Sequence, residues 1–294
     1  MQKLIVILGP TASGKTALAT HFAGVFDGEL INADSRQVYK GMDIGTAKAV
    51  PKSKIKSQKS KVWLTDIVNP NELFTVADYK KLAIESINGI ARRNKLPIMV
   101  GGTGLYIRAV VDNLAIPAVP VQRELRSELE GQTVEELYEK LRQCDPKTAA
   151  VIDRHNKRRL VRALEVALVS GSSFTSQQKE EALFDVLQIG IQIPKETLFE
   201  RIEDRTDAMI SAGLQNEVYG LVRSYGWNTV LSDTIGYQEW QDGVAPKEAK
   251  EMIVKHTKHY VKRQLTWFKK DTTIHWIPTK KEAERLVQKF LKRS

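Results

Sequence analysis

One cysteine, Cys144, is all that the chain offers for thiol chemistry. An intrachain disulfide is thereby excluded, a cysteine-based zinc site is disfavoured, and a reducing compartment is the matching environment. No stretch approaches the ~18 uncharged apolar residues of a membrane span. After Met1-Gln2-Lys3, the run Leu4 to Leu8 is too short for the apolar core of a signal peptide. The expectation is a cytoplasmic monomer with no membrane partner. Aromatic residues are few, at 7%, but hydrophobic residues reach 42% of the 294. That suffices for one large core, or for a core with a smaller second unit, at about twice the usual ~150-residue domain length.

Acidic residues are scarce where basic ones gather. Between Lys255 and Ser294 there are twelve Lys and Arg against Asp271, Glu282 and Glu284, so this segment carries +9 of the net +10. A one-sided basic surface attracts polyanions through counterion release. Trp267, Phe268 and Trp276 lie within it and are candidates to stack on bases. The alternative is a basic helix whose aromatics face the core.

What is present is first of all a set of short apolar runs that end in polar loops. Leu4 to Leu8 stops at Gly9-Pro10, Glu29 to Ala33 stops at Asp34, and Pro97 to Val100 stops at Gly101-Gly102. Helical spacing separates the last two runs, over Val76 to Arg93. The order strand, helix, strand predicts a parallel sheet whose loops at the strand C-termini hold the ligand. Residues 50–62, rich in Lys and Ser, read as a mobile loop near that crevice. From Asp112 the character changes. Pro117 and Pro120 mark a linker, and Arg123 to Arg142 and Lys147 to Val169 read as helices. Asp145-Pro146 is the break between them and Gly171 the stop. Strand character returns at Val186 to Ile193. Helices follow over Lys195 to Val222, with Gly213 interrupting, then over Pro246 to Lys270 and Lys280 to Lys292, around a short strand at Thr273 to Ile277.

Gly9-Pro10-Thr11-Ala12-Ser13-Gly14-Lys15-Thr16 fits the G-x-x-x-x-G-K-[ST] phosphate loop, placed between a strand and a helix. Its backbone N–H groups and the helix N-terminus suit phosphate oxygens, Lys15 adds a point cation, and the Thr16 hydroxyl suits Mg²⁺. The fold class that results is α/β, with a P-loop NTPase-like parallel sheet core, flanking helices and a helical insertion domain. Residues 1–111 plus 184–294 form the core with its basic C-terminal helices, and 112–183 form the insertion. The loop suits ATP or any other di- or triphosphate. Hydrolases and kinases of this class usually end a later strand in a metal-binding Asp, but Ile98-Met99-Val100 runs into Gly101-Gly102-Thr103-Gly104 instead. The strand-end carboxylate nearest the loop is Asp34, readable as a general base or as a carboxylate behind the metal. The second glycine run places Thr103 and backbone N–H groups beside a reacting group, or else is a tight turn with Tyr106 in the core. Arg201 and Arg205, on one helix face, suit a diphosphate or RNA phosphate, or a solvated surface. His256 and His259 lack a third ligand nearby in sequence and read as basic surface rather than a metal site.

Taken together these motifs resemble the tRNA dimethylallyltransferases, or isopentenyltransferases. The resemblance rests on Gly9 to Thr16, Asn32 to Tyr39, Asp43 to Lys48, Gly101 to Tyr106, Arg162 to Val166, Arg205 with Met209, Gly213 and Glu217, Ile235 to Tyr237, and Lys262 to Phe268. These span nearly the whole chain. The resemblance implies transfer of a dimethylallyl group from dimethylallyl diphosphate to N6 of the adenosine 3′-adjacent to the anticodon, in tRNAs that read codons beginning with U. Mg²⁺ is the implied cofactor and diphosphate the product. Asp34 is implied as the general base and Thr103 as lying near the bridging oxygen. Lys15, Arg205 and Mg²⁺ on Thr16 are implied to stabilise the leaving group. On the RNA side it implies that Asp34, Ser35, Arg36 and Gln37 meet the target nucleotide. Lys157, Arg158, Arg159, Leu160 and Val161 touch RNA, and Lys262, Arg263 and Gln264 grip the tRNA anticodon stem-loop. The insertion then closes over the flipped base. Two segments depart from the family pattern: Val62-Trp63-Leu64-Thr65-Asp66, where paired histidines are usual, and Thr257-Lys258, where Thr-Arg is usual. The competing readings are a prenyltransferase for free adenine nucleotides, which the basic C-terminal segment disfavours, and a nucleotide-driven RNA-binding protein or kinase.

Overall fold

The computed structural model describes residues 1–48, 62–117, 119–174 and 179–293. The Lys- and Ser-rich stretch 50–62 therefore lies, except for Val62, outside the described residues. Contacts divide the chain into two compact units, Met1–Val111 with Leu183–Ser294, and Asp112–Ala182.

The first unit is built on six strands: β1 (Gln2–Leu8), β2 (Gly28–Ala33), β3 (Val62–Trp63), β4 (Leu96–Gly101), β5 (Phe184–Ile191) and β6 (His275–Ile277). They lie in the order β3-β2-β4-β1-β5-β6, and every pairing is parallel. In a parallel sheet with both faces covered, central strands are apolar throughout. Leu4 to Leu8 of β1 are accordingly all fully buried. The period of two then sorts them: Leu4, Val6 and Leu8 join Ile31, Met99, Tyr79 and Ile87 on one face, and Ile5 and Ile7 join Phe22, Leu30, Ile98 and Val287 on the other. Each buried side chain of this size contributes about 1.5–3 kcal/mol of transfer free energy.

Helices α1 (Lys15–Val25), α2 (Val76–Arg92) and α3 (Gly104–Val111) follow β1, β3 and β4. Thr75 and Asp78 cap α2 reciprocally. Because β2, β4 and β1 are neighbours, the loops after Ala33, Gly101 and Leu8 meet along one edge of the sheet. The strand order thus brings Asp34, the second glycine run and the phosphate loop together.

The second unit holds α4 (Arg123–Glu130), α5 (Val134–Cys144), α6 (Pro146–Ala149) and α7 (Lys157–Ser170) around Leu129, Leu137, Leu141, Leu160 and Leu164. The two long helices expected here are each divided. Gly131-Gln132 separates α4 from α5, which Thr133 and Glu136 start with a capping box, and residues 150–156 separate α6 from α7, whose N-cap is Asn156. Glu165, fully buried, accepts from Arg126, Arg162 and the Gln122 amide and ties α7 to the start of α4.

Back in the first unit come α8 (Lys195–Ser211), α9 (Leu214–Tyr225), the short α10 (Thr229–Ser232), α11 (Pro246–Phe268) and α12 (Lys280–Leu291). Gly213, at φ +94°, makes the turn between α8 and α9. Among the described residues no helix is long and apolar enough to cross a membrane.

Candidate active site

The phosphate loop leaves β1 at Gly9, whose φ is +154°; a Cβ there would lie 3.0 Å from Ser13 Oγ. Ala12 and Gly14 also take positive φ, at 66° and 88°, so the loop coils tightly before α1 begins. The first amides of α1 have no preceding helical turn to bond and constitute its positive end. Ser13 is buried, and its Oγ has no hydrogen-bond partner. A buried hydroxyl without a partner in an anion-binding loop fits a phosphate oxygen.

The charges fit one as well. Burial lowers the Lys15 ammonium to about 8; Asp34 opposes that shift and Arg205 adds to it. Burial also lowers Arg205, again against Asp34. Two half-buried cations and one carboxylate therefore act on one another, an excess of positive charge that a diphosphate neutralises. Arg201, expected alongside Arg205, is exposed and reaches only the Ala12 carbonyl, at 3.5 Å. Thr16 is exposed at the second position of α1. Among the described residues, no group of three or more His, Cys, Asp or Glu gathers to hold a metal. That donor set fits Mg²⁺ held by one hydroxyl and by substrate phosphate oxygens, rather than by a protein cage.

Asp34 follows β2 directly. Its amide donates to Asn32 Oδ1 at 3.0 Å, and its Oδ1 accepts from the Arg36 amide at 2.8 Å. Asn32 is fixed in turn by the Leu64 carbonyl. Across the edge, the Thr103 amide donates to the Ala33 carbonyl at 3.1 Å, and Thr103 Oγ1 accepts from the Ser35 amide at 2.9 Å. Thr103 thus joins the second glycine run to the Asp34 turn. Tyr106 is buried and stacked on Tyr79, with centroids 3.9 Å apart, so it belongs to the core.

The loop after Asp34 is held from behind. Glu217 accepts from three successive amides, Asp43, Ile44 and Gly45, and from the Tyr237 hydroxyl. Lys48 is buried against Asp43, Asp66 and the Tyr39 carbonyl. These residues, like Arg162 and Glu165 in the second unit, hold loops and helices in place.

Three of the residues expected at the RNA are buried. Leu160 and Val161 lie in the core of the second unit, at 0% and 4% exposure, because the helical period turns them inward; of this segment Arg158 and Arg159 face solvent and Lys157 is half-buried. Gln264 is 5% exposed, whereas Lys262 and Arg263 are exposed. Its Oε1 accepts from the Thr11 amide and its Nε2 donates to the Gly102 carbonyl, both at 2.9 Å. Phe268, a candidate for base stacking, is buried too, while Trp267 is exposed. His256 pairs with Glu239, Nδ1 to Oε1 at 2.7 Å.

One residue escaped the sequence reading. Tyr260 of α11 hydrogen-bonds Thr103, and burial, with Asp34 as the second cause, pushes its hydroxyl up to about 12. Tyr260 and Gln264 stand four apart on the inner face of α11, a spacing the sequence displays. Its run of basic neighbours, however, disguises it.

Comparison with known proteins places the chain among relatives. A family model described as IPP transferase matches residues 37–271. The tRNA dimethylallyltransferase of Acaryochloris marina is 42% identical over 93% of this chain and 92% of its own length, and that of Gloeobacter violaceus is 38% identical over 99% and 97%. The structure of the full-length tRNA isopentenylpyrophosphate transferase from Bacillus halodurans superposes with a TM-score of 0.74 at 34% identity, covering 99% of this chain and 97% of that one. A eukaryotic dimethylallyltransferase acting on tRNA superposes at 0.77 with 29% identity, covering 91% of this chain and 70% of that one. The phosphate loop, the Asp34 turn and the matching extent of these relatives lead to one assignment: the chain belongs to the IPP transferase family.

Proposed function

We propose that this enzyme transfers the dimethylallyl group of dimethylallyl diphosphate to N6 of the adenosine 3′-adjacent to the anticodon, in tRNAs reading codons that begin with U, and releases diphosphate. The observation that carries the reading is the convergence of two half-buried cations, Lys15 and Arg205, with the Asp34 carboxylate at the phosphate loop. The bond from the allylic carbon to the bridging oxygen breaks as the bond to N6 forms, and the proton of N6 passes to Asp34. N6 is a weak nucleophile because its lone pair is delocalised into the ring, so a base in reach of that proton lowers the barrier. Lys15, Arg205 and the amides at the start of α1 meet the charge that develops on the diphosphate. Thr16, together with phosphate oxygens of the substrate, would hold Mg²⁺, which would supply further charge neutralisation there. Thr103, bonded to the Ser35 amide and to Tyr260, stands beside the Asp34 turn, which supports its role near the bridging oxygen.

On the RNA side, Ser35, Arg36 and Gln37 share the Asp34 turn with the target nucleotide. Lys262 and Arg263 face outward from α11 toward the anticodon stem-loop. Lys157, Arg158 and Arg159 form a basic first turn of α7 with no acid in it. Cations at the positive end of a helix are unfavourable alone and are offset by a phosphate. The enzyme acts as a monomer in the cytoplasm, a reducing compartment that the single cysteine matches. The test is transfer of label from dimethylallyl diphosphate to unmodified tRNA in the presence of Mg²⁺. Asp34→Asn keeps the oxygen that accepts from the Arg36 amide but removes the base. It is expected to lower kcat by about 10²–10⁴-fold with tRNA affinity retained, and a parallel loss of tRNA affinity contradicts the base assignment.

A further inference from the structure

Gln264 bridges two loops that are far apart in sequence. Its carboxamide offers one acceptor and one donor in a plane. The phosphate loop presents a donor to it, the Thr11 amide, and the second glycine run presents an acceptor, the Gly102 carbonyl, each at 2.9 Å. A carboxylate supplies no donor for Gly102, and an ammonium supplies no acceptor for Thr11. Space enforces the arrangement as well: a Cβ on Gly102 would lie 2.4 Å from Gln264 Nε2. Immediately after Thr11 comes Ala12, a non-glycine residue at φ +66°. Such a conformation persists only where the surroundings over-determine it, and the bond at Thr11 is one such restraint. One turn earlier on the same face, Tyr260 bonds Thr103, the residue next to Gly102.

We propose that Gln264 is a positioning residue for the diphosphate and not an RNA contact. It clamps the phosphate loop to the second glycine run, so that the loop is already coiled when the diphosphate arrives. The inference rests on the reading of the phosphate loop as the prenyl diphosphate site, and it assigns the third residue of Lys262-Arg263-Gln264 to the opposite substrate from the first two.

The test is calorimetric binding of inorganic diphosphate, paired with KM values for both substrates in the transfer assay. Gln264→Met keeps length and packing but removes both bonds, Gln264→Ala removes the side chain, and Gly102→Ala pushes the amide away without altering residue 264. Each is expected to weaken diphosphate binding by about tenfold, the scale of a lost hydrogen bond. Each also raises the KM for dimethylallyl diphosphate while the KM for tRNA stays at the wild-type value, a split that general loss of structure does not produce. Melting temperatures identify a variant that fails to fold, and the other two then decide. Wild-type diphosphate affinity with a raised KM for tRNA overturns the inference alone. A wild-type protein that neither binds diphosphate nor transfers label overturns the underlying reading, and the inference falls with it.

Discussion

Lys15 carries a consequence that is measurable at a single residue. Its ammonium is lowered by burial to about 8 in the ligand-free protein, and a bound diphosphate restores the charged form. Below about pH 7, Lys15 is protonated with or without ligand. Above about 8, binding takes up a proton, and affinity falls as pH rises. Calorimetry in two buffers of different ionisation enthalpy reads this directly, and Lys15→Arg, charged throughout, serves as the reference that removes the ligand's own titration. The expected result is extra proton uptake by the wild type at about pH 8.5 and none at about pH 6.5; equal uptake in both proteins contradicts it. For folding the sign follows from the same shift. The folded protein binds fewer protons than the unfolded chain between about 8 and the ordinary lysine value of about 10.4. This group's contribution to stability therefore rises with pH across that window and is lost below it. The glycines, Lys15 and Asp34 were legible in the sequence because their spacing from strand ends is a local property. Glu217 was legible only as a residue in a pattern. That it accepts from three successive amides of residues 43 to 45 depends on two segments brought together by the fold, for which no local signal exists.

Among the elements, α11 shows how a helix divides one sequence motif between two tasks. Val261, Gln264 and Phe268 recur at helical spacing and are buried, whereas Lys262, Arg263, Thr266 and Trp267 are exposed. Read as a string, Lys262-Arg263-Gln264 is one polar run. Read on a helix, its third member turns inward. The same period separates exposed Arg158 and Arg159 from buried Leu160 and Val161 on α7. Applied to these short runs, the period was sufficient to foresee which members are buried. The breaks within the insertion were harder to see, since Asn156 and the Thr133 capping box are signals that compete with continuous helical spacing on either side. If the outer face of α11 meets phosphates, Lys262→Ala with Arg263→Ala weakens tRNA binding and reduces the slope of log K against log salt by about 1.4–1.8. An unchanged slope places the phosphates elsewhere.

For the molecule as a whole, strand order does most of the assembly. Inserting β4 between β1 and β2 sets the second glycine run between the phosphate loop and Asp34. Thr103 can then join one neighbour and Gln264 the other. The parallel α/β class was legible from apolar runs ending in Gly or Asp, but the order of the strands was not, because pairing between distant segments leaves no periodic trace. The net charge of +10 is concentrated in the C-terminal segment, where it suits a polyanionic acceptor better than a free nucleotide. The proposed acceptor is tRNA, at one adenine. The most direct measurement is to incubate the protein with dimethylallyl diphosphate, Mg²⁺ and equal amounts of unmodified tRNA and AMP, digest the RNA, and locate the added five-carbon group by mass spectrometry. The group is expected on the adenine 3′-adjacent to the anticodon, with none on AMP. Modification of AMP with the tRNA left unmodified would contradict it.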